Sequence, residues 1–379
     1  MKKKLAIIGA KNEQVPLILK AKKMGIETHC FAWDKKEEDT FCKGIADYFH
    51  PISILDKELI LEKCREIGID GVTSIAYDYA VPTIGYVTQN MGLPGNIYED
   101  MLIALNKYKS RLAFQKAGVH SPRFAVAHGG ALPDISAFTY PLIVKPTDRC
   151  ASVGVMKVEK ENELENAVQR ALELSFIKEA IIEEYISGIE ASVESISWKG
   201  NHYHLAITDK ETTGAPYYVE IAHHEPSALS AEIQEKMKTE AGKALTAINY
   251  SFGATDTEVK VNENGDAYII EANPRMGGDY THELIRLSTG YDFLKGVIDI
   301  ALNQFEAPVL PLNKYSGIYF LSKDTEWVKH VIENKEHYPE IDSVEIFFDE
   351  LIQLQSSFDR SGYFTYQSDR KKTTDDYLI

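Results

Sequence analysis

Two carboxylates, an amide and a guanidinium stand close together in "EVKVNENGDAYIIEANPR", residues 258–275: Glu258, Glu271, Asn273 and Arg275. Asn264-Gly265 lies between two β-rich runs and signals a hairpin, because a type I′ turn needs positive φ at both central residues. A two-residue turn there sets Glu258 opposite Glu271. Asn273 shares the face of Glu271, and Asp256 that of Glu258. Like charges directly opposed destabilise a sheet. A divalent cation would relieve them, and carboxylate and amide oxygens suit magnesium, with manganese as a substitute, better than zinc. Arg275 brings a planar fork that fits phosphate or carboxylate. An exposed hairpin with its glutamates in water explains these residues equally well when they are taken alone. An EF-hand does not. Asn262, Asn264, Gly265 and Glu271 fall at its pattern positions, but Lys260 stands where the first acidic ligand must be.

Magnesium is usually accompanied by a nucleotide phosphate, and three other stretches supply matching parts. Lys145 ends the apolar run "PLIV" and precedes the loop "PTDRCASVG", whose backbone N–H groups can close over phosphates. Lys107 opens the helical stretch "NKYKSRLAF" as a second phosphate contact. "IIEEYISGIE" is a strand running into a turn, where adenine can meet exposed backbone and Glu190 can accept from ribose hydroxyls. Singly, each lysine is more often a solvated surface group, and Glu190 a strand-edge charge. The order and spacing of all four pieces carry the inference.

The elements that must position them are legible from periodicity. In the first hundred residues "KLAIIGA", "IETHCFAW" and "IDGVTSIA" read as strands separated by helical stretches, the pattern of a doubly wound parallel sheet. The first strand ends in "GAKNEQ", without the later glycines of GxGxxG, so a dinucleotide is not expected and Gly9 reads as a turn residue. Four units follow: an α/β domain over 1–105, a small α+β lid over 106–200, a third unit over 201–305 carrying the hairpin, and a small α+β extension over 306–379. The chain of 379 residues is 44% hydrophobic and 26% charged, ordinary for a globular protein. Its net charge of -16 argues against a nucleic-acid face. Four cysteines without CxxC spacing read as free thiols in a reducing compartment. "MKKKLAIIGAK" is too short an apolar run for a signal peptide or a membrane span, so the cytoplasm is the expectation.

Taken together these motifs resemble the ATP-grasp superfamily, which includes D-alanine–D-alanine ligase, biotin carboxylase and carbamoyl-phosphate synthetase. The resemblance spans about 106–305: "IVKPTDRCASVGVMKV" resembles the lysine strand and phosphate-covering loop, "IIEEYISGIE" the adenine hinge, and "TEVKVNENGDAYIIEANPR" the metal hairpin with its ExNxR ending. It implies an N-terminal parallel-sheet domain, a central lid and a C-terminal mixed-sheet domain. It further implies that Lys107 and Lys145 contact ATP phosphates, with Ser152 and Gly154 of the loop beside them. Glu183, Glu184 and the backbone of Tyr185 and Ile186 would frame the adenine, and Glu190 would hold the ribose. Glu258, Glu271 and Asn273 would coordinate two magnesium ions, and Arg275 would steady the transferring phosphoryl group. Cys150 departs from the pattern, standing where glycine is frequent.

What the resemblance implies chemically is a carboxylate–amine ligase. A substrate carboxylate attacks the γ-phosphorus, and an amine displaces phosphate from the acyl phosphate. "NPRMGGDYTHELIRLSTGYDF" is closest to the amino-acid and dipeptide ligases. Gly277 and Gly278 allow close backbone approach, and Asp279 and Asp256 are candidate acceptors from a substrate ammonium. Asp279 is equally well placed as the N-cap of a helix over "YTHELIRL". "TTGAPYYVEIAHHEPSAL" is expected to loop beside the acceptor. There His223 and His224 are candidates to orient substrate, although paired histidines at a strand end are more often plain surface. The partners are small carboxylate and amine substrates, not nucleic acid or membrane. The tail is expected to cap the acceptor site or to build a homodimer interface. Two other classes stay open: carboxylation or phosphorylation on the same ATP site, as in a carbamoyl-phosphate-synthetase-like enzyme, and a non-catalytic nucleotide-binding protein.

Overall fold

A run apolar at nearly every position, such as Lys4–Ile8, suits a strand covered on both faces. In the computed structural model, which describes residues 2–36, 40–129, 132–214 and 217–378, it becomes the central strand of a parallel sheet. β1 (Lys4–Ile8), α1 (Val15–Lys23), β2 (Glu27–Phe31), β3 (Tyr48–His50), α2 (Lys57–Ile67) and β4 (Gly71–Thr73) alternate, and the strands lie in the order β3-β2-β1-β4. Helices α3 (Val81–Met91) and α4 (Tyr98–Ala104) complete this domain. Leu5, Leu17 and Ile18 share one apolar cluster with Ile196, Phe293 and Val297, so the domain packs directly on the body of the protein.

Helix α5 (Lys107–Ala117) begins at Asn106, whose side chain accepts from the Lys109 N–H. It leads into a small sheet of β5 (Phe124–His128), β6 (Leu142–Pro146), β7 (Met156–Val158) and β8 (Glu179–Glu184), ordered β5-β8-β6-β7 and backed by α6 (Glu161–Leu174). The body is one eight-stranded sheet in which every described pairing is antiparallel. It comprises β9 (Ile189–Trp198), β10 (Asn201–Thr212), β11 (Glu220–Glu225), β12 (Phe252–Val261), β13 (Ala267–Asn273), β14 (Tyr315–Leu321), β15 (Ile341–Ile346) and β16 (Gly362–Ser368). Their order is β13-β12-β9-β10-β11-β14-β16-β15. Helices α7 (Ala231–Ala247), α8 (Thr281–Thr289), α9 (Phe293–Ala301) and α10 (Trp327–Glu333) accompany it.

Three sequence expectations change here. The sheet expected to be mixed is antiparallel. The boundary expected at residue 200 cuts through a hairpin, because β9 pairs with β10 and β12 and so lies in the body, not the lid. The extension over 306–379 supplies β14, β15 and β16 to that same sheet.

β11 also overturns the loop expected over 212–229, of which residues 215–216 lie outside the described residues. Its Glu225 is fully buried between two hydroxyl donors, Thr208 Oγ1 at 2.9 Å and Ser288 Oγ at 2.8 Å. Burial pushes its carboxyl up to about 7, the two hydroxyls opposing the shift. In the unfolded chain a glutamate loses its proton at lower pH. Between the two values the folded state therefore binds the extra proton, and stability falls as pH rises. In urea unfolding, the wild type should lose roughly 3 kcal/mol more than Glu225→Gln between about pH 5 and about pH 8. Parallel stability curves for the two proteins would contradict this assignment.

Candidate active site

The hairpin of β12 and β13 does bring Glu258 opposite Glu271 and Asp256 opposite Asn273, but not through a two-residue turn. Glu263, Asn264 and Gly265 form a three-residue loop, closed by Asn262 N–H to Asp266 O at 3.1 Å, with Gly265 at φ +76°. Near the turn Val261 pairs with Ala267 and Val259 with Ile269. Ile270 is then an extra residue, and this bulge restores the register that faces the two glutamates. Two departures from the expected geometry cancel.

Each glutamate has a lysine beside it. Lys107 Nζ lies 2.9 Å from Glu271 Oε1, and Lys210 Nζ 3.6 Å from Glu258 Oε1. The two carboxylates remain 27% and 28% exposed. Burial, with Lys210 opposing and Glu271 adding, pushes the Glu258 carboxyl up to about 7. Burial would also raise Glu271, but Lys107 and Lys145 outweigh it and hold that carboxyl below its ordinary range. Among the described residues no three His, Cys, Asp or Glu side chains gather as metal ligands. Two carboxylates and the Asn273 amide are instead an incomplete hard-oxygen set of the kind magnesium takes when phosphates supply the rest. On donor chemistry the residues fit.

Lys145, at the end of β6, is buried and donates to Glu183 Oε2 at 2.8 Å. The other oxygen of Glu183 is 2.6 Å from Arg111 Nε. Burial disfavours this carboxylate, yet Arg111 and Lys145 outweigh that and hold its carboxyl low. Glu183, expected at the adenine, is thus a buried brace that aims Lys145. Glu184 points to the opposite face and accepts from the Thr139 N–H at 3.0 Å, so its carboxylate ties down lid backbone. The Tyr185 N–H is occupied too, donating to Pro141 O at 3.1 Å. Of the hinge amides expected to frame adenine, that of Ile186 is without an intramolecular partner among the described residues. Glu190 pairs with Lys260 Nζ at 3.3 Å, and Lys260 and Lys157 flank the Tyr185 ring at 5.4 and 4.5 Å.

The loop between β6 and β7 places Ala151, Ser152 and Gly154 in left-handed backbone, at φ +52°, +55° and +77°. A Cβ on Gly154 would come within 2.8 Å of Leu174 Cδ1, so glycine is required there by space as well as by conformation. Lys107 Nζ donates to Arg149 O at 2.6 Å.

Arg275 is held by Asp78 Oδ1 at 3.2 Å and Asp256 Oδ2 at 3.0 Å. Asp256, expected to accept from a substrate ammonium, is therefore engaged on one oxygen, while its Oδ1 is buried without a partner. Asp279 is not a helix cap: Tyr280 takes the N-cap position of α8, and the Asp279 carboxylate accepts from Arg360 Nη1 at 2.6 Å. At Gly277 a Cβ would stand 2.8 Å from Thr281 Oγ1, whereas Gly278 has open space around it. His223 and His224, expected at the surface, are buried. His224 bonds Tyr366 Oη at 2.9 Å and lies 3.1 Å from Glu211. Both ring nitrogens of His223 are unpartnered among the described residues, and burial pulls its pKa down to about 3. A neutral imidazole with two open nitrogens is thus set on β11 directly opposite Lys210 of β10.

Arg111, Lys210, Asp78 and Arg360 were not anticipated. Arg111 stands four residues after Lys107 on one helix face, a spacing that could have marked it. The other three reach the cleft from distant strands and loops and carry no local signal.

The hairpin, Lys107 of α5, Lys145 of β6 and Arg275 thus lie in one charged cluster. Residues 138–283 match the family model of the ATP-grasp domain. It is 28% identical over 303 residues to the alanine–anticapsin ligase of Bacillus amyloliquefaciens, covering 70% of this chain and 63% of that protein. It is 26% identical over 249 residues to the D-alanine–D-alanine ligase of Halalkalibacterium halodurans, covering 60% of this chain and 77% of that one. The crystal structure of an L-amino acid ligase from Bacillus licheniformis superposes with a TM-score of 0.83 at 22% identity, over 99% of this chain and 96% of that one.

The brace role of Glu183 has a direct test. Glu183→Gln leaves Arg111 and Lys145 buried without their counter-charge, and nucleotide-free unfolding should lose about 3 kcal/mol. Wild-type stability combined with a loss of preference for ATP over GTP would return Glu183 to the adenine.

Proposed function

We propose that the protein is an ATP-dependent carboxylate–amine ligase acting on amino-acid or peptide-like substrates. The observation that carries this reading is the gathering of Lys107, Lys145, Glu258, Glu271, Asn273 and Arg275 in one charged cluster, in a fold that matches that of an L-amino acid ligase along its length. The names of the curated relatives point the same way.

In this mechanism Lys107 and Lys145 meet the phosphates of ATP while the loop over 147–155 covers them. Glu258, Glu271 and Asn273 would hold magnesium, with manganese as a substitute and two ions in all, which would supply neutralisation of the phosphate charge. The substrate carboxylate attacks the γ-phosphorus, the bond to the β-phosphate oxygen breaks, and ADP leaves. Arg275, fixed by Asp78 and Asp256, steadies the acyl phosphate. The amine then attacks the acyl carbon, loses a proton and expels phosphate, forming the amide. Positioning and charge compensation do most of the catalysis in such transfers. His223 and Lys210 are the groups we assign to the acceptor, because the buried imidazole has no partner for either nitrogen among the described residues and the Lys210 side chain beside Glu258 is only 9% exposed.

The same reading keeps small molecules as the partners, in keeping with a net charge of -16, and assigns the cytoplasm, in keeping with four free cysteines. No helix among the described residues is long and apolar enough to cross a membrane. The homodimer expected of the tail is checked by light scattering.

An ADP-release screen over pairs of amino acids should give release that needs both partners, and Glu271→Gln should lower it at least about 100-fold. Release that depends on bicarbonate instead would favour a carboxylase. No release with any pair, in a protein that still binds ATP, would favour a nucleotide-binding protein without catalysis.

A further inference from the structure

Residues 276–280 join Arg275 to α8, and their path ends in two consecutive non-glycine residues with left-handed backbone, Asp279 at φ +52° and Tyr280 at φ +61°. Side chains other than glycine rarely adopt this conformation, and it persists only where the surroundings impose it. Here the surroundings come from the C-terminal extension. Arg360, only 5% exposed, donates from Nη1 to Asp279 Oδ1 at 2.6 Å. Its Nε and Nη2 are anchored on the Glu220 carbonyl at 3.2 and 2.9 Å, with Glu220 Oε2 at 3.4 Å. The guanidinium lies 3.8 Å from the centroid of the Phe320 ring, whose far neighbour is the open imidazole of His223 at 5.8 Å. The ring of Tyr280 rests 4.2 Å from that of Tyr363, two strand positions along from the buried Ser361 that follows Arg360.

Asp279 therefore has its charge compensated by the protein itself and is held in place. Its Oδ1 is engaged by Arg360. We propose that Arg360 is a positioning residue for the acceptor end of the cleft: by pairing with Asp279 it holds residues 276–280 in their left-handed path, and so shapes the wall against which the second substrate binds. This inference rests on the ligase reading for its acceptor, but not for the placement of the loop. It gives the extension a role within the active site, as a brace reaching in from β14 and β16.

The test compares wild type with Arg360→Met, Arg360→Lys and the double variant Asp279→Asn/Arg360→Met. Amide exchange over 276–284 should quicken about tenfold in Arg360→Met, with partial recovery in Arg360→Lys. For an amino-acid pair that supports ADP release, the KM of one amino acid should rise about tenfold while the KM for ATP stays within about twofold. The double variant leaves no unpaired charge on the loop itself, so it should regain part of the thermal stability yet keep the raised KM; it also decides the matter if Arg360→Met does not fold. Unchanged exchange and KM in a folded variant would overturn the proposal, as would a KM for ATP that rises in step. If the wild type releases no ADP with any pair, the ligase reading falls, and the exchange comparison alone decides whether Arg360 holds the loop.

Discussion

The structure is organised around an electrostatic conflict. Glu258 and Glu271 face each other on adjacent strands, a placement that opposes folding unless positive charge is near. The protein supplies that charge from two sides, with Lys107 on α5 and Lys210 on β10. Neither ammonium replaces a doubly charged ion between the carboxylates, and both carboxylates stay open to the cleft. In the proposed function, this arrangement would receive a cation that arrives with nucleotide. Metal binding would release Lys107 toward the phosphates, so the side chains that stabilise the free protein are those that serve the bound one.

Helix α5 makes this conflict a property of the whole molecule. Lys107 and Arg111 project from one face of it. The first reaches Glu271; the second bonds the carbonyl of the bulge residue Ile270 at 2.6 Å and pairs with Glu183 of the lid. Glu183 in turn holds Lys145. A single chain of charges thus runs from Lys145 at the end of β6 to the hairpin of β12 and β13. Arg275 extends it to Asp78 of the N-terminal domain. Lid, body and N-terminal domain are tied to one another by these charged contacts.

Much of this was legible in the sequence because it is local. The alternation of Lys4–Thr73, the turn signal at Asn264-Gly265, and the lysine before "PTDRCASVG" each express themselves within a few residues. Glu258 opposite Glu271 was read correctly even though the turn was not, since the bulge at Ile270 offsets the longer loop. What stayed hidden is long-range. Whether Glu183 meets adenine or Lys145 depends on a strand pairing across the lid. Whether Asp279 caps a helix or binds Arg360 depends on a contact spanning 81 positions. The two histidines looked like surface because nothing nearby in sequence shows that β14 will cover them. Charges that pair across such distances leave no periodicity to detect.

The central claim is that the opposed glutamates form a divalent-cation site that works only together with nucleotide. Calorimetric titration of ATP into the protein, with magnesium and then with EDTA, addresses it most directly. Binding should be tighter with magnesium by about 100-fold, and Glu271→Gln should abolish that difference while leaving the weak metal-free binding in place. Equal affinity for ATP with and without the metal, in a folded wild-type protein, would contradict the account.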